Sequence, residues 1–354
     1  SMTNRKLTIC FLGNASSIHT IKWASFFAGI GHSVHLISID QPVGHDLRGV
    51  KIHIVKRLIP IHKKPWVFIN LPITIFQAKK IIKEIKPDII HAHYVVSYGL
   101  RAALSGFHPL VMTAWGSDIM IIPHKNYLSK LAVKYSLAKA DLITCDAFHM
   151  QKTITGLGVP DSKIKIINFG TDIERFKPGE KNQEIIKELG FAKNKIIISL
   201  KWPDPLSDYE TLIRAASIVI KKHPEARFII LGPTSFPDHL EELKNLAKEL
   251  GLVEKVKFLG DVINKKIPEY LRSSDIYVCT SLSDAGIASS TSEAMSCGLP
   301  VIITNFGDNG NWVENGRNGF LFNLRDHTVL ADKIIYLLDN QNVGKEFGQI
   351  NRKI

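Results

Sequence analysis

Short apolar runs recur along the entire chain, separated by longer stretches in which apolar residues return every three or four positions. In the first half, LTICFLG (7–13), VHLISI (34–39), KIHIV (51–55), DIIHAHY (88–94), PLVMTAW (109–115), DLITC (141–145) and KIKIIN (163–168) read as strands, and IHTIKWASFFAGIG reads as a helix after the first of them. Strands that alternate with helical segments need crossover connections, so the expected sheet is parallel and covered on both faces.

The pattern breaks over residues 173–194, where ERFKPGEKN is polar and contains Pro and Gly, the composition of a domain joint. It restarts with IIISL (196–200), RFIILG (227–232), VKFLG (256–260), DIYVC (275–279) and PVIIT (300–304). Helices near 208–222, 237–250, 264–273, 289–297 and 326–340 separate these strands. The expectation is an α/β protein with two Rossmann-like, doubly wound parallel-sheet domains, residues 1–175 and 176–354. Ligands of such sheets bind beyond the carboxyl ends of the strands, so two sheets facing each other would share one cleft.

Composition agrees with this picture. The 354 residues are 45% apolar and 22% charged, enough for two ordinary cores. No apolar stretch reaches the roughly 20 residues that span a bilayer, and the first twenty residues lack a signal layout, so a cytoplasmic protein is expected. Ser1 before Met2 reads as a cloning scar. Cys10, Cys145, Cys279 and Cys297 are far apart with no CxxC pair, which points to buried thiols and away from a structural zinc site.

Charge separates the halves. Residues 1–176 hold 22 Lys and Arg against 10 Asp and Glu, whereas residues 177–354 hold 23 of each. A basic first half attracts an anionic partner, an acidic-lipid membrane or a phosphorylated acceptor, unless its lysines are merely solvated. Within it, residues 56–76 interleave Lys56, Arg57, Lys63 and Lys64 with Trp66, Phe68 and Phe76. That mixture suits an interfacial membrane anchor or a partly buried helix with a basic edge. Nucleic acid is not expected, because none of its usual recognition modules is present.

The densest chemical signal is TSLSDAGIASSTSEAMSCGLPVIIT (280–304). Asp284 follows a strand, Gly286 makes a turn, and Ser289, Ser290 and Thr291 stand where they would cap a helix whose free amides suit a phosphate. Ser290 and Glu293 also have the spacing of a capping box, which needs no ligand. Lys201 follows IIISL at a strand tip, where it would neutralise a phosphate or simply be solvated. The loop Gly13, Asn14, Ala15, Ser16, Ser17 between strand and helix has one glycine, too few for a dinucleotide fingerprint, but its amides would be able to approach a ligand. His91 and His93 offer a metal pair without a third ligand and read better as satisfied strand-end histidines. No Asp-any-Asp pair occurs, so no metal or other cofactor is expected.

The spacing of Asp284, the glycine turn, Glu293-Ala-Met, Cys297-Gly298 and Pro300-Val301 resembles the signature of retaining glycosyltransferases of family 4, with the GT-B fold. DIIHAHY, WGSD (115–118), NFGTDIERFKPG (168–179), FLGDV (258–262) and NWVENGRNGFLF (311–322) extend the resemblance over nearly the whole chain. It implies transfer of a hexose-type sugar, with retention and without a metal, from a UDP- or GDP-sugar to a glycan, lipid-linked or small-molecule acceptor. By the same resemblance Glu293 contacts the donor ribose, and Lys201, Asp284 and Glu293 are the catalytic set. Donor contacts fall at Gly13, Asn14, Trp115, Asp118, Gly260, Val262, Gly286, Ile287, Ser289, Ser290 and Glu293.

Three departures qualify the carry-over. Where the family has a first glutamate eight positions before the second, with seven residues between them, this chain has Ala285, with Asp284 one place earlier. Where it has a phosphate-binding lysine, Ser207 stands, and Trp115 replaces a histidine, as a platform for the sugar or as core. The rival reading is a non-catalytic relative that binds a nucleotide sugar or a partner subunit. The chain stops at NRKI soon after the helix near 326–340, short of the family's usual final helix, and reads as shortened.

Overall fold

The run Thr8–Leu12 forms strand β1, buried from Ile9 onward, as a strand covered by helices on both faces must be. The computed structural model describes residues 5–42, 47–58, 67–168, 170–284 and 286–354, with the backbone alone at 67–69. The chain divides into two compact units, Ser1–Asn168 and Phe169–Ile354.

In the first unit, β1 is followed by α1 (Ile18–Gly29), β2 (Ser33–Ser38), β3 (Val50–Ile54), α2 (Val67–Ile85) and β4 (Ile89–His93). Then come α3 (Gly99–Ser105), β5 (Leu110–Thr113), α4 (Ser117–Met120), α5 (Tyr127–Lys139), β6 (Leu142–Cys145), α6 (Phe148–Gly156) and β7 (Ile164–Ile166). The seven strands pair in the order β3-β2-β1-β4-β5-β6-β7, all parallel. Ile9, Phe11, Val34 and Leu36 face Ala15 and Ala24 in one core. The basic segment at 56–76 enters α2 with Phe76 exposed, while Lys63, Lys64 and Trp66 lie outside the described residues. Among the described residues no helix is long and apolar enough to cross a membrane.

The second unit runs α7 (Gln183–Leu189), β8 (Lys195–Ser199), α8 (Tyr209–Lys222), β9 (Ala226–Leu231), α9 (Pro237–Glu249), β10 (Val256–Gly260), α10 (Ile267–Ser273) and β11 (Ile276–Cys279). It ends with α11 (Ser289–Ser296), β12 (Val301–Thr304), α12 (Asn309–Trp312), β13 (Gly319–Phe322), α13 (His327–Asp339) and α14 (Gln341–Asn351). Its strand order is β10-β9-β8-β11-β12-β13, again parallel. Alternation along β8 sorts its isoleucines onto two cores: Ile197 joins Phe228, Val278 and Ile302, while Ile196 and Ile198 join Ile229, Tyr277 and Ile303. Each such side chain contributes about 1.5–3 kcal/mol by leaving water.

In the second unit α7, which lies inside the expected polar joint, α12, β13 and α14 go beyond the sequence expectation. β13 adds a sixth strand, and Gly319 there is obligatory, because a β-carbon would lie 2.5 Å from the Val301 carbonyl. α14 continues the chain past α13, and its Arg352 cap side chain bonds the Phe176 and Ser296 carbonyls.

Candidate active site

Each sheet reverses its winding once, between β1 and β4 in the first unit and between β8 and β11 in the second. Loops leaving such a pair part in opposite directions and open room for a ligand at the carboxyl ends. Lys201 leaves β8 and Asp284 leaves β11, so the topology of the second sheet brings these two sequence-selected residues to one point.

They are in direct contact. Lys201 Nζ donates to both carboxylate oxygens of Asp284 at 2.6 Å and to Ser281 Oγ at 3.1 Å. Burial is the largest single influence and pushes the ammonium toward losing its proton, but Asp284, joined by Cys279 and Asp204, leaves the Lys201 pKa raised above its ordinary value. The site therefore holds a permanent cation, already carrying one anion. The thiol of Cys279 approaches Asp284 Oδ2 at 3.7 Å, and burial pushes this thiol up to about 11. Ser207, at the family's lysine position, is spent on the loop itself: its hydroxyl donates to the Trp202 carbonyl at 2.6 Å and its carbonyl accepts from Thr280 at 2.5 Å.

The start of α11 differs from expectation. Its N-cap is Ala288, and no side chain caps the helix. Ser290 Oγ lies instead 2.8 Å from the Tyr277 hydroxyl, which Thr291 also reaches at 3.4 Å. Glu293 is the fifth helical residue, two places too late for a capping box with the true N-cap. The serines therefore leave the amides of Ser289 and Ser290, which a helix gives no internal acceptor, to other partners. Gly286 is buried, Ile287 and Val262 pack on the core below, and Gly260 closes β10 at φ 66°, its carbonyl accepting from Gly232. Ala285 lies outside the described residues.

In the first unit the expectations need more correction. Four of the five amides of the loop after β1 are occupied: Gly13 N–H donates to Ile37, Ala15 to Ser38 Oγ, Ser16 to Asn14 Oδ1 and Ser17 to the Asn14 carbonyl. Gly13 is there for packing, since a β-carbon would meet Thr20 at 2.7 Å. Asp118 has no exposed surface. Its carboxylate accepts from Val95, Trp115 and Gly116 amides at 2.8–3.0 Å, so it holds the turn rather than facing a donor. Burial raises its pKa to about 6 against those three amides.

Trp115 lies tilted against His19 with ring centroids 4.4 Å apart and meets His93 edge-on. His91 is satisfied by Thr113 at 2.6 Å. His93 is only half satisfied, with Nδ1 3.3 Å from Thr20 Oγ1 and Nε2 without a partner. Among the described residues no group of three potential metal ligands comes together. Tyr94, which the sequence reading passes over, leaves β4 at φ 71° into a π-turn and touches Ser117 at 3.1 Å. Strain of that kind costs roughly 1–3 kcal/mol and gathers at functional sites.

A family model described as Glycosyl transferase 4-like matches residues 8–147, and one described as Glycosyl transferases group 1 matches residues 181–354. Spore coat protein SA of Bacillus subtilis (strain 168) is 28% identical over 226 residues, 60% of this chain and 59% of that protein. The chain thus aligns with less than two thirds of that relative's length. The UDP-Gal:alpha-D-GlcNAc-diphosphoundecaprenol alpha-1,3-galactosyltransferase of Escherichia coli is 28% identical over 277 residues, 74% of this chain and 69% of that one. Among solved structures, Anabaena Alr3699/HepE in complex with UDP-glucose superposes with a TM-score of 0.80 at 19% identity, covering 98% of this chain and 94% of that one.

Proposed function

The chain belongs to the group 1 glycosyltransferases of the family 4 type, with the GT-B fold, and from that premise we propose that it transfers a hexose-type sugar from UDP, with retention, to a glycan or lipid-linked acceptor. The observation that carries this reading is the Lys201 ammonium, held protonated on Asp284 at the winding reversal of the second sheet.

Sugar transfer passes through an oxocarbenium-like state as the anomeric bond to the diphosphate breaks. The chief catalytic need is therefore to stabilise the charge that builds on the departing oxygen. Lys201 supplies a fixed cation, and the Ser289 and Ser290 amides add the positive end of α11. Asp284 sits on that cation in the free protein, and the incoming diphosphate takes its place or shares it. Glu293 is assigned the ribose hydroxyls. With Lys201 as the diphosphate cation and no Asp-any-Asp pair in the sequence, the reaction is assigned to proceed without a resident metal.

Two relatives support the substrate classes: the Escherichia coli enzyme is named for a UDP-sugar donor and a diphosphoundecaprenol acceptor, and the Anabaena structure for UDP-glucose. An anionic or membrane-held acceptor fits the basic first half. The test is a thermal-shift panel of UDP- and GDP-sugars with EDTA present. A true donor at 100 times its Kd stabilises by about 2.7 kcal/mol; no shift with any of them sinks the reading, and hydrolysis or transfer by the purified chain removes the non-catalytic alternative.

A further inference from the structure

Lys201 is held at its backbone as firmly as at its ammonium. β8 ends at Ser199, so two residues later the Lys201 N–H and C=O have left the ladder and need partners of their own. One phenol serves both: the Lys201 N–H donates to the Tyr209 oxygen at 3.0 Å, and the Tyr209 hydroxyl donates to the Lys201 carbonyl at 2.9 Å. Ser199 Oγ gives the same oxygen a third bond at 3.3 Å.

Packing does not explain that hydroxyl. The Tyr209 ring is fully buried in the core with Ile197, Leu212 and Phe228, where a phenylalanine would fill the same space. What the oxygen adds is a double tether to one residue. The tether begins α8 directly after Asp208, which adopts a left-handed backbone at φ 49°. A non-glycine residue held there signals a local geometry over-determined by its surroundings.

We propose that Tyr209 is a positioning residue for the leaving-group site: its hydroxyl fixes the root of the Lys201 side chain, so that the ammonium stays at the strand tip when a diphosphate takes over from Asp284. This rests on the reading of Lys201 as the diphosphate cation. Tyr209 acts entirely through Lys201 and touches no part of the donor. A four-carbon side chain on a loose root sweeps a wide volume, and a misplacement of about 1 Å at a reacting centre costs up to about a hundredfold.

The test is calorimetric titration of UDP and GDP, with uridine and guanosine as diphosphate-free controls, onto the wild-type chain, Tyr209→Phe, Lys201→Ala and the double variant. Tyr209→Phe is expected to weaken the bound diphosphate by about tenfold while leaving its nucleoside unchanged. In the Lys201→Ala background the same change moves affinity by less than about twofold, because both act through one group. Equal losses for nucleotide and nucleoside, or an undiminished loss without Lys201, overturn the proposal. If Lys201→Ala alone leaves UDP and GDP affinity at the wild-type level, the reading of Lys201 itself fails, and this proposal falls with it. Should Tyr209→Phe not fold, Ser199→Ala keeps the ring, removes one bond to the phenol, and enters the same cycle with an expected loss of about two- to threefold.

Discussion

The carbonyl oxygen of Lys201 lies 2.7 Å from the point that a β-carbon on Gly232 would occupy, with the Trp202 amide nitrogen at 3.1 Å. Gly232 follows β9 at φ 154°, and its N–H donates to the Gly260 carbonyl at 3.0 Å. The tips of β8 and β9 thus meet at a separation that only glycine permits. Gly232→Ala should lower stability by about 1–3 kcal/mol, as overpacking does, and weaken UDP binding because the displaced atoms belong to Lys201. Urea unfolding and UDP titration together check this; wild-type values in both would show that the tip relaxes at no cost.

Lys201→Ala should reduce turnover of a UDP-sugar by about 10²–10³, the range for loss of one preorganised charge-stabilising group. Steady-state kinetics with circular dichroism as the folding control decides it, and unchanged kinetics would remove the lysine from the mechanism.

Asp284→Asn separates two roles for its carboxylate. If Asp284 is an internal anion that the diphosphate displaces, the amide should bind UDP more tightly, by about three- to tenfold, since up to about 1.4 kcal/mol of competition is removed. If Asp284 instead contacts the donor sugar, UDP affinity stays level while the KM for the intact UDP-sugar rises. Comparing UDP with UDP-glucose in one titration series distinguishes the outcomes.

How much of this was legible beforehand follows from what each element needs. The buried parallel strands require continuous apolar runs, so IIISL and RFIILG announce themselves. β13 is four residues long at the sheet edge and begins with a glycine, which weakens the signal. α14 contains Gly344 and Gly348, poor helix formers, yet Gly348 is required, because a β-carbon there would fall 1.9 Å from the Gly298 carbonyl. Tertiary packing, invisible in a linear pattern, decides that helix. Lys201 and Asp284 can each be picked out by position after a strand, but their contact spans 83 residues and exists only because β8 lies beside β11. Motif matching equally misleads at Asp118, whose burial no spacing discloses, and is silent on the Tyr209 tether and the Tyr94 backbone.

His19, His91 and His93 share one aromatic cluster with Trp23 and Trp115. Burial lowers His91 to about 3, lowers His19 to about 4 with help from Lys22, and holds His93 well below the ordinary value, with His91 and His19 adding to it. An unfolded histidine protonates near pH 6.5. Between about pH 6.5 and 4 the unfolded chain therefore binds protons that the folded one refuses, and stability falls as pH falls. Asp118, raised to about 6, and Asp208, also raised by burial, oppose this by favouring the fold as pH drops, but burial lowers His35 and His53 as well, which adds them to the three clustered histidines. The urea midpoint should decline steadily from pH 7 to pH 4.5; a flat or rising midpoint would mean that the cluster opens to water before it titrates.

The net charge of +12 over residues 1–176 predicts adsorption to anionic bilayers. On α2 the exposed lysines Lys79, Lys80 and Lys83 follow Phe76, which is 71% exposed, at the i+3, i+4 and i+7 positions, so cations and an apolar side chain share one helix face. Each lysine near a negatively charged surface contributes about 1 kcal/mol, and the attraction weakens once salt shortens the screening length from about 10 Å at 0.1 M toward about 3 Å at 1 M. The chain should sediment with phosphatidylglycerol vesicles at low salt, stay in the supernatant with phosphatidylcholine, and be released from the former by 0.5 M NaCl. Charge reversal at Lys79, Lys80 and Lys83 should weaken the association while leaving UDP affinity intact, because these side chains lie on the helix that leads into the amino end of β4, opposite the strand tips. Binding that ignores both lipid charge and salt would assign the basic excess to solvation and leave the acceptor unanchored.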